Sequence, residues 1–137
     1  MRRTPSCELF IDGASRGNPG PSGVGVVCLE DGTPAWQLAE GIGETTNNVA
    51  EYFALIFALQ EALKRGQRSV MVKTDSELLA RQIGGQYKVR DPWLKRLHAL
   101  AIHLHGGFER VTVQHIPREA NRAADKLAGQ AADRSVL

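Results

Sequence analysis

Four carboxylates occupy positions where an acidic side chain is not expected for packing alone. Asp12 ends the strand-like run Cys7-Glu8-Leu9-Phe10-Ile11, immediately before a glycine-rich stretch, and Asp75 ends a second such run, Ser69-Val70-Met71-Val72-Lys73-Thr74. Glu51 opens a helical stretch that carries no charge from Tyr52 to Gln60, and Asp125 opens the last helical stretch, four residues after Asn121. Strand ends and helix starts of this kind gather at the carboxyl edge of an open α/β sheet, where ligands bind. Four carboxylates together in a partly dry site repel one another unless something neutralises them. Two divalent cations would do so. All-oxygen donors select Mg²⁺ or Mn²⁺, and no Cys/His spacing favours zinc. Such a pair suits in-line hydrolysis of a phosphodiester, one ion lowering the pKa of the attacking water and the other stabilising the leaving oxygen. Each residue also has an ordinary structural reading. Glu51 and Asp125 would complement a helix macrodipole, Asp12 before Gly13 is turn chemistry, and Asp75 before Ser76 is helix-entry chemistry.

The elements that must hold these residues follow from pattern and punctuation. Residues 7–12 form a strand, and four glycines and two prolines in 13–23 predict a long turn before a second strand over 24–29. Asp31-Gly32 predicts a tight hairpin into a third strand over 35–40. Asn47-Asn48 would cap a helix over 49–65 that Gly66 terminates. A helix apolar on all sides packs centrally, covered on more than one face. The strand over 69–75 is reached by that helical crossover, hence parallel to an earlier strand. Ser76 caps a short helix over 77–83, Asp91-Pro92 opens one over 93–105, residues 111–115 form the last strand, and Asn121 caps a final helix to about Ala132. The order is βββαβααβα, a single domain over 1–137 with its core in about 7–132.

Length and composition agree. The chain has 137 residues, 42% of them hydrophobic, with 17 Lys+Arg against 15 Asp+Glu, a net charge of +2. That describes one folded domain and excludes disorder as the main reading. Charge this close to balance permits contact with a polyanion without identifying one. The longest stretch free of charge or histidine, 17–29, is rich in Gly and Pro, and residues 1–5 lead into no apolar run of a secretion signal. Cys7 and Cys28 are too few for a disulfide framework or a metal quartet, and their spacing lets them meet as reduced thiols across the first hairpin. A soluble cytoplasmic protein is expected.

The segments Asp12-Gly13-Ala14-Ser15-Arg16-Gly17-Asn18-Pro19-Gly20-Pro21, Thr45-Thr46-Asn47-Asn48-Val49-Ala50-Glu51, Thr74-Asp75-Ser76 and the pattern Asn121, Ala124, Asp125 occur in order over nearly the whole chain. Together they resemble ribonuclease H, type 1, in a short form lacking that family's basic protrusion. The resemblance implies a ribonuclease H-like mixed five-stranded sheet, three strands antiparallel and two parallel, flanked by helices. It implies endonucleolytic hydrolysis of the RNA strand of an RNA/DNA hybrid with two Mg²⁺ ions, Mn²⁺ as substitute, giving 3′-hydroxyl and 5′-phosphate ends. Asp12, Glu51, Asp75 and Asp125 then hold metal, with Asp12 touching both ions and Glu51 also facing the RNA 2′-hydroxyl. Asn18, Thr46, Asn47 and Asn48 fall where the family contacts the minor groove. His115 falls where it often carries a loop histidine that moves a proton or helps product leave. The partner is the hybrid itself, with a monomer and no obligatory protein partner expected.

Several positions depart from the family pattern. Ile116-Pro117-Arg118-Glu119 replaces a flexible glycine-rich loop, and strand alternation would equally well make His115 a packed residue sharing a face with Val111 and Val113. Only residues 86–90 stand where larger members insert the protrusion, so Lys88, Arg90, Lys95 and Arg96, with Tyr87 or Trp93 as stacking surface, form a reduced DNA-strand contact. For Trp93 the alternative, core packing, is slightly preferred. Glu44 stands where some members hold a DNA phosphate with arginine, and Glu77 would serve near the metals or face solvent. His98, His103 and His105 lack the spacing of a zinc clamp and read as a solvated helix end. Competing readings are a catalytically weak hybrid-binding module and a nuclease domain derived from a reverse transcriptase.

Overall fold

The computed structural model describes residues 6–135. Residues 1–5, the segment read for a secretion signal, lie outside that range. A five-stranded sheet has the order β3-β2-β1-β4-β5, built from β1 (Cys7–Ser15), β2 (Gly20–Glu30), β3 (Thr33–Thr45), β4 (Ser69–Thr74) and β5 (Arg110–His115). β1, β2 and β3 pair antiparallel, while β4 runs parallel to both β1 and β5. The helices are α1 (Asn47–Lys64), α2 (Glu77–Ile83), α3 (Pro92–His105) and α4 (Arg122–Arg134), with a 3₁₀ turn at Arg118–Ala120. The expected order and the three-plus-two strand arrangement are both present. Among the described residues no helix is long and apolar enough to cross a membrane.

The first hairpin differs from expectation. β1 runs on to Ser15 and β2 starts at Gly20, with Gly13 paired to Val24 and Ser15 to Ser22. Gly17 alone turns the chain at positive φ, while Gly13 and Gly23 serve packing. A Cβ on Gly13 would stand 2.3 Å from the Ala50 carbonyl carbon of α1, and one on Gly25 would stand 2.4 Å from the Ala124 oxygen of α4. Asp12 faces Gly25 in register, and neighbouring residues on a strand point to opposite faces. Thus α1 lies on one face of the sheet and α4 on the other. The Asp31-Gly32 hairpin forms as expected, both residues at positive φ in a two-residue loop.

On the first face Leu9, Ile11, Val24, Val26 and Val72 pack against Tyr52, Leu55 and Leu59 of α1, with Leu94, Leu97 and Ala101 of α3 in the same core. Covered by the sheet on one side and α3 on the other, α1 is apolar nearly all round, as its sequence requires. On the second face Ala124, Ala128, Ala131 and Ala132 are fully buried over the glycines of β2. Cys7 pairs with Glu30 and Cys28 with Leu9, so the two free thiols are diagonal neighbours, with sulfurs 3.5 Å apart.

Several cap and surface expectations are corrected. Thr46, not Asn47-Asn48, caps α1, its hydroxyl accepting from Val49 N–H at 3.3 Å. That start puts Glu51 beyond the first turn, which removes the macrodipole explanation for it. Asn121 occupies the α4 N-cap position without capping, because its amide reaches instead to the Ile11 carbonyl at 2.8 Å. Trp93 is 65% exposed, since α3 turns Leu94 and Leu97 inward and Trp93 outward. His98 and His105 are half-buried rather than solvated, His98 bonding the Gln82 carbonyl at 3.2 Å.

Gly25→Ala forces the α4 backbone off the sheet, and we expect a loss of about 2–4 kcal/mol of stability. Urea unfolding should show a lower midpoint with an unchanged m-value.

Candidate metal centre

β1 and β4 end side by side, with Ile11 paired to Thr74, so Asp12 and Asp75 leave adjacent strands at one edge. Gly13, lacking a side chain, lets α1 sit directly on β1 and donates its N–H to Glu51 Oε1 at 2.7 Å. Each of Asp12, Glu51 and Asp75 offers a carboxylate oxygen within 4.8 Å of the others. The Asn121–Ile11 bond pins the start of α4 to the residue before Asp12, and Asp125 lines the same cavity of about 430 Å³. The sequence-derived four are therefore brought together, three as a tight cluster and Asp125 at its rim.

Asp12 and Glu51 are buried, being 4% and 5% exposed, and Asp75 is half-buried. Burial is the main force raising the Asp12 carboxyl above its ordinary range, followed by the Glu51 charge and the nearby Asp125 carboxyl. Glu51 is pushed up to about 8, again chiefly by burial, although the Gly13 N–H opposes the shift. Asp75 is raised by burial while the Asn121 amide partly restores it. An all-carboxylate cluster this crowded fits a hard divalent cation and no soft one. Asp12, Glu51 and Asp75 would hold it, with Asp125 beside them.

The remaining candidates have distinct places. Asn18, in the β1–β2 turn, accepts from the Asn47 N–H at 2.8 Å, so Asn18, Thr46, Asn47 and Asn48 make one exposed polar surface, with Asn47 lining the cavity. His115 is exposed at the end of β5, paired with Thr74 and hence one position from Asp75, and lies outside the cavity lining. The packed alternative for it does not occur. Glu44 is exposed on β3, and Glu77 faces solvent, bonded to Arg81 at 3.0 Å. Arg118 emerges as a site residue that sequence reasoning treated only as loop. It lines the cavity 4.0 Å from Asp125 and lowers the Asp75 carboxyl's pKa. Its distance of three residues from His115, across a fixed Pro117, was the available signal.

Comparison with known proteins places this geometry in context. A family model described as reverse transcriptase-like matches residues 10–131. Ribonuclease HI of Halobacterium salinarum is 42% identical over 127 residues, covering 92% of this chain and 64% of that protein. Ribonuclease H of Halorhodospira halophila is 40% identical over 144 residues, covering 94% of each. A solved structure of LC11-RNase H1 in complex with RNA/DNA hybrid superposes with a TM-score of 0.91 at 41% identity, covering 96% of this chain and 100% of that one. The chain spans 35% of three mycobacterial relatives that are 42% identical to it.

Because folding raises the pKa of Asp12, Glu51 and Asp75, the metal-free folded chain binds more protons than the unfolded one. Their contribution to stability is thus fullest below the ordinary carboxyl range near pH 4 and is lost as pH rises through the raised values. Asp12→Asn should stabilise the metal-free protein at pH 8 by about 1–2 kcal/mol, or roughly 3–8 °C in Tm. Added Mg²⁺ should raise the wild-type Tm and leave that of the variant nearly unchanged, as thermal melts with and without EDTA would show.

Proposed function

This chain belongs to the ribonuclease H family, and from that premise we propose that it hydrolyses the RNA strand of RNA/DNA hybrids endonucleolytically, leaving 3′-hydroxyl and 5′-phosphate ends. The observation that carries the reading is the convergence of Asp12, Glu51 and Asp75 within 4.8 Å at a buried strand edge. Without cations that arrangement only destabilises the fold. A pair of bound Mg²⁺ ions, with Mn²⁺ as substitute, supplies a more acidic attacking water and stabilisation of the leaving oxygen.

The chain's own residues do the positioning. Asp12, Glu51 and Asp75 would hold the ions, with Asp125 beside them on the same cavity. Glu51, fixed by the Gly13 N–H, also faces the ribose 2′-hydroxyl. Arg118 adds a cation to the cavity wall beside the carboxylates, where it would meet an entering phosphate. His115, exposed next to the end of β4, moves a proton or assists departure of product.

Form selectivity comes from the neutral surface of Asn18, Thr46, Asn47 and Asn48. Amides and hydroxyls sense groove shape and 2′-hydroxyls without reading sequence. Grip on the DNA strand comes from 81–96, which carry five basic residues and one acidic one, while the rest of the chain has 12 basic and 14 acidic. There Tyr87 and Trp93 are exposed rings with Arg81 and Arg96 each 5.5 Å away. Two free thiols suit a reducing cytoplasm, and the site is complete within one chain, so a cytoplasmic monomer is the working state.

Labelled hybrid, duplex RNA, duplex DNA and single strands, each incubated with Mg²⁺, Mn²⁺ or EDTA, test this. RNA should disappear from the hybrid alone, and only with metal. Asp12→Asn should lower kcat by about 10³-fold or more, and His115→Ala by about 10- to 100-fold, with hybrid binding retained in both. Full activity in the Asp12 variant would overturn the assignment.

A further inference from the structure

Residues 84–90 connect α2 to α3 with no regular structure, yet they are held firmly from below. Gln86 and Tyr87 both donate their N–H groups to the Arg81 carbonyl, at 2.9 and 3.2 Å. Beyond that point one buried side chain ties the connection down. Gln82, 5% exposed, donates from Nε2 to the Lys88 carbonyl at 3.3 Å. Its Oε1 accepts from the Tyr52 hydroxyl at 2.6 Å, and its own carbonyl bonds His98 Nε2 at 3.2 Å. Gln82 thereby joins α1, α3 and the connection through three separate bonds. Val89 packs against the core, while Lys88 and Arg90 on either side of it are exposed. Tyr52 also directly follows Glu51, so the same turn of α1 carries a metal-site carboxylate and the anchor of this network.

The buried Gln82 carboxamide has one favourable orientation, because flipping it would set its oxygen against the Lys88 carbonyl, acceptor against acceptor. We propose that Gln82, locked by Tyr52, is a positioning residue that presents Lys88 and Arg90 to the backbone of the DNA strand, doing with one buried amide what a longer basic insertion would do by sheer charge. This rests on the ribonuclease reading above. α2 spans seven residues, about 10 Å at 1.5 Å per residue, and it begins at Ser76 beside the metal centre. The connection therefore stands about one short helix away from the RNA cut site.

Gln82→Glu keeps the acceptor for Tyr52 and replaces the donor to Lys88 with a repelling oxygen. It should raise KM for the hybrid about tenfold with kcat within twofold, and should flatten the slope of log KM against log salt by about 0.9 for each phosphate that the cations no longer neutralise. In a Lys88→Ala/Arg90→Ala background the same substitution should have no further effect on KM. Tyr52→Phe, which keeps the ring and removes the hydroxyl, should act in the same direction and decides the matter if Gln82→Glu fails to fold. An unchanged KM and salt slope in a folded variant, a parallel fall in kcat, or full additivity with the Lys88/Arg90 pair would overturn the proposal. A wild-type chain that leaves hybrid intact would instead defeat the ribonuclease reading. In that event hydrogen exchange at the amides of 86–90, faster in Gln82→Glu if the latch exists and unaltered if it does not, decides the inference alone.

Discussion

Backbone-to-sheet contact at Gly13 and Gly25 is the constraint on which the rest of this structure depends. With a side chain at either position, α1 or α4 would stand farther from the strands by about 1–2 Å, the distance needed to bring the clash to ordinary contact. The carboxylates of Glu51 and Asp125 would retreat with them. Because the glycines lie on neighbouring strands and open opposite faces, the two helices converge on one edge of β1 from both sides. The site is thus a consequence of packing distance as much as of the acidic residues themselves.

That convergence costs stability. Withdrawal from water raises the pKa of all three carboxylates, and the nearby compensating groups are a backbone N–H, the Asn121 amide and the exposed Arg118 guanidinium. The alanines of α4 and the apolar belt of α1 offset this by burying the helices against the sheet. A site strained by like charge and held by rigid small-residue packing is preorganised, because the ligands cannot relax apart when the neutralising charge is removed.

Much of this was legible in the chain itself. Strand runs, the Asp31-Gly32 hairpin, the Ser76 and Asp91 caps and the all-apolar character of α1 are local signals, and each element formed where its residues require. The four carboxylates were visible because acidic residues at strand ends and beside apolar runs need a reason. What was not legible is long-range. Glycines at 13–23 look alike whether they turn a chain or admit a helix, and only the partner decides. Asn121 reads as a cap until a strand carbonyl 110 residues away competes for its amide and wins. Trp93 reads as core by residue type, and its exposure depends on which face α3 turns inward. Arg118 carried no motif, and it became visible only once the cavity wall had formed.

The distribution of charge makes a further point about selectivity. A chain with net charge +2 has little general attraction for polyanions. Removing 81–96 leaves more acidic than basic residues, and the edge holding Asp12, Glu51 and Asp75 is a carboxylate cluster, so a polyanion approaching at random meets repulsion over much of the surface. On the proposed function, productive approach would have to satisfy both regions at once: cations of the α2–α3 connection on one strand, and the neutral Asn18–Asn47 surface with the carboxylate edge on the other. The spacing between these regions is fixed by the folded core, whereas the spacing between strands varies with the form of the duplex. Weak overall charge therefore strengthens discrimination, since a duplex of the wrong width engages only one of the two regions and has no diffuse attraction to make up for the other.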